Sequence, residues 1–217
     1  MTGTVTPPSG PGSDGRLTRV PGPAKATLRR RLLAARAALP APVLEERAAA
    51  LLRVVTEASL LGGARCLAAY VSIGTEPGTG PLLEHLRATR VMVLLPVVAA
   101  DGSLDWALDE GAGRRRPGRY GLAEPAGPRL GPARIASADL VLVPALAVDV
   151  AGNRLGRGGG GYDRALALVP PGTPVLAVVY AEEVLAAVPV EPHDRPVSGA
   201  LTPGGWVGFP GTQVARR

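Results

Sequence analysis

The sequence predicts an α/β fold: a three-layer, doubly wound, mostly parallel sheet with helices on both faces. Three observations predict it. The runs CLAAYVSI (66–73), VMVLLP (91–96), DLVLVP (139–144) and PVLAVVYA (174–181) are almost continuously apolar, as strands buried on both faces are. Segments with apolar residues at helical spacing lie between them. The chain has 217 residues, of which 46% are hydrophobic, enough for one domain with a sizeable core.

Taken in order, residues 1–23 are rich in Pro, Gly, Ser and Thr and offer little to bury, which predicts a disordered tail. AKATLRRRLLAARAAL (24–39) is a helix by propensity. After Pro40 and Pro42, VLEERAAALLRVVTEASLL reads as a second helix. CLAAYVSI is the first buried strand, GPLLEHLRATR (80–90) a helix and VMVLLP the next strand. AADGS is a turn into a possible strand at LDWALDE (104–110), and GAGRRRPGRYG (111–121) reads as a basic loop. DLVLVP and PVLAVVYA complete the buried strands. Helices are expected after the glycine run (161–168) and after the last strand (182–188). The body is thus residues 24–203. Residues 204–217 read as an irregular C-terminal tail, with Trp206 and Phe209 able to pin it to the body. In a parallel sheet of this type ligands bind at the carboxyl ends of the strands, so the loops after residues 73, 96, 144 and 181 are the places to look.

Composition excludes several classes. The single cysteine, Cys66, sits in an apolar run and cannot form an internal disulfide, which fits a reducing compartment. No apolar run is long enough to span a membrane, and the N-terminal residues lack the apolar stretch of a signal peptide, so a cytoplasmic protein without membrane partners is expected. The net charge of +6 favours anionic partners. It is spread through arginine-rich segments, and aromatics are only 3%, so there is no stacking platform for bases and nucleic acid is disfavoured.

The segment that asks for an explanation is NRLGRGGGGYDRAL (153–166). A Walker loop needs Lys-Ser or Lys-Thr after its last glycine, and Gly161 is followed by Tyr162 and Asp163. Gly156, Gly158 and Gly161 match a dinucleotide fingerprint, but AVDVAGNRL separates them from the strand end where that motif begins. The third reading is an anion cradle. Consecutive glycines turn backbone N–H groups toward one ligand, Arg154 and Arg157 add forked donors, and Asp163 could hold a divalent cation beside phosphate oxygens. The alternative is a flexible surface loop with solvated arginines. Other single residues carry less. Lys25 and Arg29 are four apart and share a helix face, as ligands of a phosphate or as a solvated basic face. Glu76, in the turn-rich GTEPGT, is a hydrogen-bond acceptor or an ordinary loop acid. His193 is a ligand contact or a structural histidine, His85 a surface residue, and the basic run 114–119 an anion site or a solvated loop.

VPALAVDVAGNRLGRGGGGYDRAL strongly resembles the signature of the 5-formyltetrahydrofolate cyclo-ligase family, also called 5,10-methenyltetrahydrofolate synthetases. KATLRR from Lys25, YVSIGTEPGT from Tyr70, GRYGLAEP from Gly118 and EPHDRPVSGALT from Glu191 resemble further family motifs in the same order. The resemblance covers residues 24–203. It implies an enzyme that uses MgATP to convert 5-formyltetrahydrofolate to 5,10-methenyltetrahydrofolate, with ADP and phosphate released after phosphorylation of the formyl oxygen. By the same resemblance, Lys25, Arg29, Arg154, Leu155, Gly156, Arg157, Gly158, Gly159, Gly160, Gly161 and Tyr162 bind ATP. Val71, Glu76 and the Arg157–Gly161 segment bind folate, Asp163 and Asp194 hold Mg2+, and Arg157 is the catalytic residue. A monomer is implied. A non-catalytic relative that binds RNA or folate is the alternative. The chain departs from the family pattern at Gly161, where members commonly carry a first tyrosine before Tyr162, and at Gly159, where some carry lysine.

Overall fold

The computed structural model describes residues 22–210. Its elements, in chain order, are α1 (Gly22–Ala37), α2 (Ala41–Glu57), β1 (Cys66–Ala68), α3 (Gly80–Ala88), β2 (Met92–Val98), β3 (Leu104–Leu108), β4 (Arg115–Pro117) and β5 (Ala123–Pro125). They continue with β6 (Leu140–Pro144), β7 (Ala147–Asp149), β8 (Arg154–Leu155), α4 (Gly161–Leu166), β9 (Val175–Val178), β10 (Val184–Leu185), β11 (Gly199–Thr202) and β12 (Gly205–Gly208). The expected tail at 1–23 lies almost wholly outside the described residues, as do residues 211–217.

The central sheet has seven strands in the order β12-β11-β9-β6-β1-β2-β3. Neighbours from β11 to β2 are parallel, and β3 and β12 are antiparallel edges. The chain winds outward from β1 through β2 on one side and from β6 through β9 and β11 on the other. A topological switch point therefore falls between β1 and β6, where crevices of doubly wound sheets open.

The near-continuous apolar runs become doubly buried strands. In β6, Leu140 and Leu142 face Leu51 and Val55 of α2 and Leu82, Leu83 and Leu86 of α3. Val141 and Val143 face the other way, into a cluster with Trp106, Ile135, Ala165, Leu166 and Phe209. The helices α2 and α3 thus cover one face, and α4 with the short turn 132–137 covers the other. Helix α1 packs elsewhere, its Leu32 meeting Leu146, Ala147, Leu155 and Val188 beside a small three-stranded sheet, β10-β7-β8. Among the described residues no helix is long and apolar enough to cross a membrane.

The structure corrects several expectations. The first strand ends at Ala68 rather than running to Ile73, because Tyr70, Ser72 and Thr79 exchange side-chain hydrogen bonds that draw the chain out of the sheet. Of the helix expected at 182–188 only a single 3-10 turn, Ala181–Glu183, forms. Glu183 instead sends its carboxylate to Arg36, at 2.6 and 2.7 Å, and the chain continues as β10 beside β7. The basic loop contains β4, paired with β5. Its Arg115 is no solvated charge, since it forks onto buried Asp109 with contacts of 2.9 Å. The C-terminal stretch is not irregular throughout, because Gly205–Gly208 is an edge strand folded back on β11, and Phe209 is buried behind it.

Candidate functional site

Helix α1 presents one stripe inward: Lys25, Arg29, Leu32 and Arg36, spaced four, three and four residues apart. Lys25, Leu32 and Arg36 are buried on it and Arg29 is half-buried, whereas Arg30 and Arg31 face solvent. Arg36 anchors the helix, forking onto Glu183 and donating to the Ala145 carbonyl at 2.7 Å, just past β6. That anchor carries Arg29 and Lys25 along the mouth of the switch-point crevice.

The hairpin β7–β8 delivers the second wall. Asp149 organises it by accepting hydrogen bonds from Ala151 N, Asn153 N, Asn153 Nδ2 and Val188 N, all at 2.8–3.0 Å. The next residue of consequence is Arg154, buried, with Nη2 2.7 Å from Asp163 Oδ1 and its guanidinium 6.0 Å from the Tyr162 ring centre. A Cβ on Gly156 would come within 2.8 Å of Arg154 Nη1, so a larger residue there would push the guanidinium from its place. Gly158 (φ +103°) and Gly160 (φ +65°) take backbone conformations that other residues adopt only with strain. The Arg29 Nε donates to the Gly156 carbonyl at 2.9 Å and so joins α1 to the glycine segment.

Arg157 crosses to the loop after β1. Its Nε donates to Glu76 Oε1 at 3.0 Å, and both Nη groups are without a protein partner among the described residues. Glu76 is buried and accepts the Ile73 amide on its other oxygen. On the third side, Lys25 Nζ donates to Glu191 Oε2 at 2.9 Å and to Asp194 Oδ2 at 2.7 Å. The Arg195 amide, one residue past Asp194, reaches Asp163 Oδ1 at 3.2 Å, so the two aspartates stand on the same wall. Each accepts on one oxygen only. Asp163 Oδ2 has no partner among the described residues, and Asp194 Oδ1 has only His193, at 3.9 Å. Glu191, His193 and Asp194 keep ligand atoms within 4.8 Å of one another.

These walls enclose a cavity of ≈ 660 Å³. Every residue selected from the motifs lines it: Lys25, Arg29, Val71, Glu76, Arg154, Leu155, Gly156, Arg157, Gly158 to Gly161, Tyr162, Asp163 and Asp194, and His193 as well. His85, on α3, does not. Sequence reasoning missed Tyr70, Tyr120, Leu104, Leu122 and Glu191, which also line it. Tyr120 is 75% exposed with φ +57° at the tip of the β4–β5 hairpin, over the mouth. Its signal was present, as one of only four tyrosines and inside a motif. Burial, and then the charge of Glu76, raise the phenols of Tyr70 and Tyr162 well above the ordinary value, so both stay neutral donors beside the carboxylate.

The departures at Gly159 and Gly161 have different surroundings. A Cβ at 159 would meet open space. A Cβ at 161 would come 3.0 Å from the Gly102 carbonyl and 3.4 Å from Leu104, because the β2–β3 turn closes down on α4 here. The helix α4 has only six residues, shorter than expected, so it adds little dipole to the loop.

Comparison with known proteins gives the family and the fold. The model of the 5-formyltetrahydrofolate cyclo-ligase family matches residues 21–203. A 5-formyltetrahydrofolate cyclo-ligase of Mycolicibacterium smegmatis is 41% identical over 189 residues, which covers 82% of this chain and 93% of the relative. Among solved structures, the NMR structure of Aquifex aeolicus 5,10-methenyltetrahydrofolate synthetase superposes with a TM-score of 0.74 at 24% identity, covering 89% of this chain and 96% of that one. The 5,10-methenyltetrahydrofolate synthetase of Mycoplasma pneumoniae gives 0.65 at 19% identity, over 82% and 98%. At such identities the two structures speak to the fold.

Proposed function

The chain belongs to the 5-formyltetrahydrofolate cyclo-ligase family, and from that premise we propose that it closes 5-formyltetrahydrofolate to 5,10-methenyltetrahydrofolate at the expense of MgATP. The observation that carries the reading is that the selected site residues, drawn from four separate stretches of sequence, line one cavity.

The formyl oxygen is a poor leaving group. It attacks the γ-phosphorus, the bond from that phosphorus to the bridging oxygen breaks, and ADP departs. N10 then attacks the activated carbon and loses its proton, and the carbon–oxygen bond breaks to release phosphate. Positioning and charge neutralisation supply most of the catalysis of phosphoryl transfer. Arg157 is suited to both, because its Nε is held by Glu76 while its Nη groups are open to phosphoryl oxygens. Glu76 is the acceptor for N–H groups of the folate head, with Val71 beside it. Lys25 keeps one of its three ammonium donors beyond the two given to Glu191 and Asp194, and Arg29 keeps its Nη groups; these, Arg154 and the Leu155–Tyr162 backbone hold ATP. Asp163 and Asp194 each leave one carboxylate oxygen open on this wall, hard donors of the kind Mg2+ takes, since that ion keeps several waters and binds through one or two carboxylates. Held there, the ion would neutralise charge on the phosphates.

The test is to mix the protein with 5-formyltetrahydrofolate, ATP and magnesium and follow 5,10-methenyltetrahydrofolate by absorbance. Product that requires both ATP and magnesium is expected. A folded sample that gives none overturns the reading and leaves a binding protein, for folate or RNA, in its place.

A further inference from the structure

The loop between β1 and α3 is closed at its neck by side chains rather than by the sheet. Thr79 Oγ1 donates to the Tyr70 carbonyl at 2.8 Å and accepts the Ser72 amide at 3.0 Å. The Thr79 amide in turn donates to Ser72 Oγ at 3.0 Å. Thr79 is 1% exposed, and its bond to the Tyr70 carbonyl is buried, while the two bonds with Ser72 are partly so.

Two further facts say that the hydroxyl serves the loop and not the helix. Thr79 occupies the N-cap of α3, where a threonine ordinarily accepts a helix amide, yet it makes no capping bond. Its neighbour Gly78 is so close to α2 that a Cβ would stand 2.6 Å from the Ala48 Cβ, which fixes where the neck sits. Inside the closed loop the Glu76 amide donates to the Ile73 carbonyl at 3.1 Å and the Glu76 carboxylate accepts the Ile73 amide at 3.0 Å. The Tyr180 hydroxyl reaches the Thr75 carbonyl at 3.2 Å from the end of β9. The one carboxylate that the loop delivers to the cavity is also the one that holds Arg157.

We propose that Thr79 is a positioning residue for the reaction: its clasp with Ser72 and Tyr70 pre-sets the Glu76 carboxylate toward the folate head and, through Glu76, sets Arg157. The proposal rests on the assignment of Glu76 to folate. Thr79 does not line the cavity and acts through the loop. A carboxylate that must be held in place before the ligand arrives costs nothing to order on binding, which is how a remote clasp improves affinity.

The test compares Thr79→Val, which keeps the shape and removes the oxygen, with Thr79→Ser, which restores it. Thr79→Val is expected to raise KM for 5-formyltetrahydrofolate about ten-fold, the worth of one to two hydrogen bonds. KM for ATP should stay within about two-fold, because the α1 side chains and the glycine-segment backbone that hold ATP do not touch the neck, while any displacement of Arg157 reads out in kcat. Thr79→Ser should return the folate KM to the wild-type value. Hydrogen exchange at residues 72–76 should quicken in Thr79→Val and not in Thr79→Ser, with the rest of the chain unchanged. An unchanged folate KM, an equal rise in both KM values, or no recovery with serine overturns the proposal. Ser72→Ala, which removes only the acceptor for the Thr79 amide, serves if Thr79→Val does not fold. Should the wild type itself give no product, the functional reading fails, and the exchange rates at 72–76 still decide whether Thr79 holds the loop.

Discussion

Arg157 shows what a single side chain can do by standing between two walls. It is half-exposed and, among the described residues, bonded only to Glu76, so its removal takes away that one contact and leaves the rest of the fold in place. Arg157→Ala is expected to lower kcat by about 10³-fold or more, the scale of an arginine that meets transition-state phosphoryl charge. The melting temperature should move by no more than a few degrees. The tyrosines give a residue-scale prediction of their own. Burial raises the phenols of Tyr70, Tyr162 and Tyr180, with Glu76 adding to the first two. In the unfolded chain a phenol releases its proton above about pH 10. In the fold these three retain it. The unfolded state therefore holds fewer protons in that window, so their stability contribution is complete below about pH 10 and is lost as pH rises toward the folded values. Each such tyrosine removes about 1.4 kcal/mol per pH unit there. Melting temperatures should fall steeply as pH rises above about 10 for the wild type and less steeply for Tyr70→Phe, which deletes one ionising phenol.

At the scale of elements, the hairpin β7–β8 is held by one carboxylate. Asp149 accepts four N–H donors, three from its own turn and one from Val188. Asp149→Ala strands those donors, and a destabilisation of at least about 3 kcal/mol is expected, read as a shift in the denaturant midpoint. Arg154 begins β8, so residual folded protein should also lose turnover. This element was legible in retrospect, because an aspartate followed by Gly152 and Asn153 is turn chemistry. So was β11–β12, where Thr202-Pro-Gly-Gly205 separates two apolar stretches. The expected helix at 182–188 failed for the opposite reason. Local propensity there is overruled by Glu183, whose carboxylate is committed to a partner far away in sequence.

Across the whole molecule, the same Arg36–Glu183 pair ties α1 to the segment after β9 and, through Ala145, to the end of β6. Both side chains are almost fully buried. Arg36→Met leaves Glu183 charged and alone and should cost about 3–5 kcal/mol. Adding Glu183→Leu should recover part of the loss, since a well-packed apolar pair can replace a buried ion pair. Urea denaturation of the single and double variants measures both terms.

By itself the sequence determined the layered α/β class, the four doubly buried strands and the stretches that carry the site. Those are set by local information: apolar runs, helical spacing, and a glycine segment between arginines. It also identified Lys25, Arg29, Glu76, Arg157, Asp163 and Asp194 as residues of interest. The tertiary structure alone decided which of the abundant charges matter. Lys25, Arg29 and Arg36 face inward while Arg30 and Arg31 face water, Arg115 is sequestered by Asp109, and Arg157 meets Glu76. Partners separated by up to 169 positions along the chain, as Lys25 and Asp194 are, leave no mark in local pattern. They meet only because the strand order opens a crevice between β1 and β6, and because burying a charge is tolerable only where the fold supplies its counter-charge.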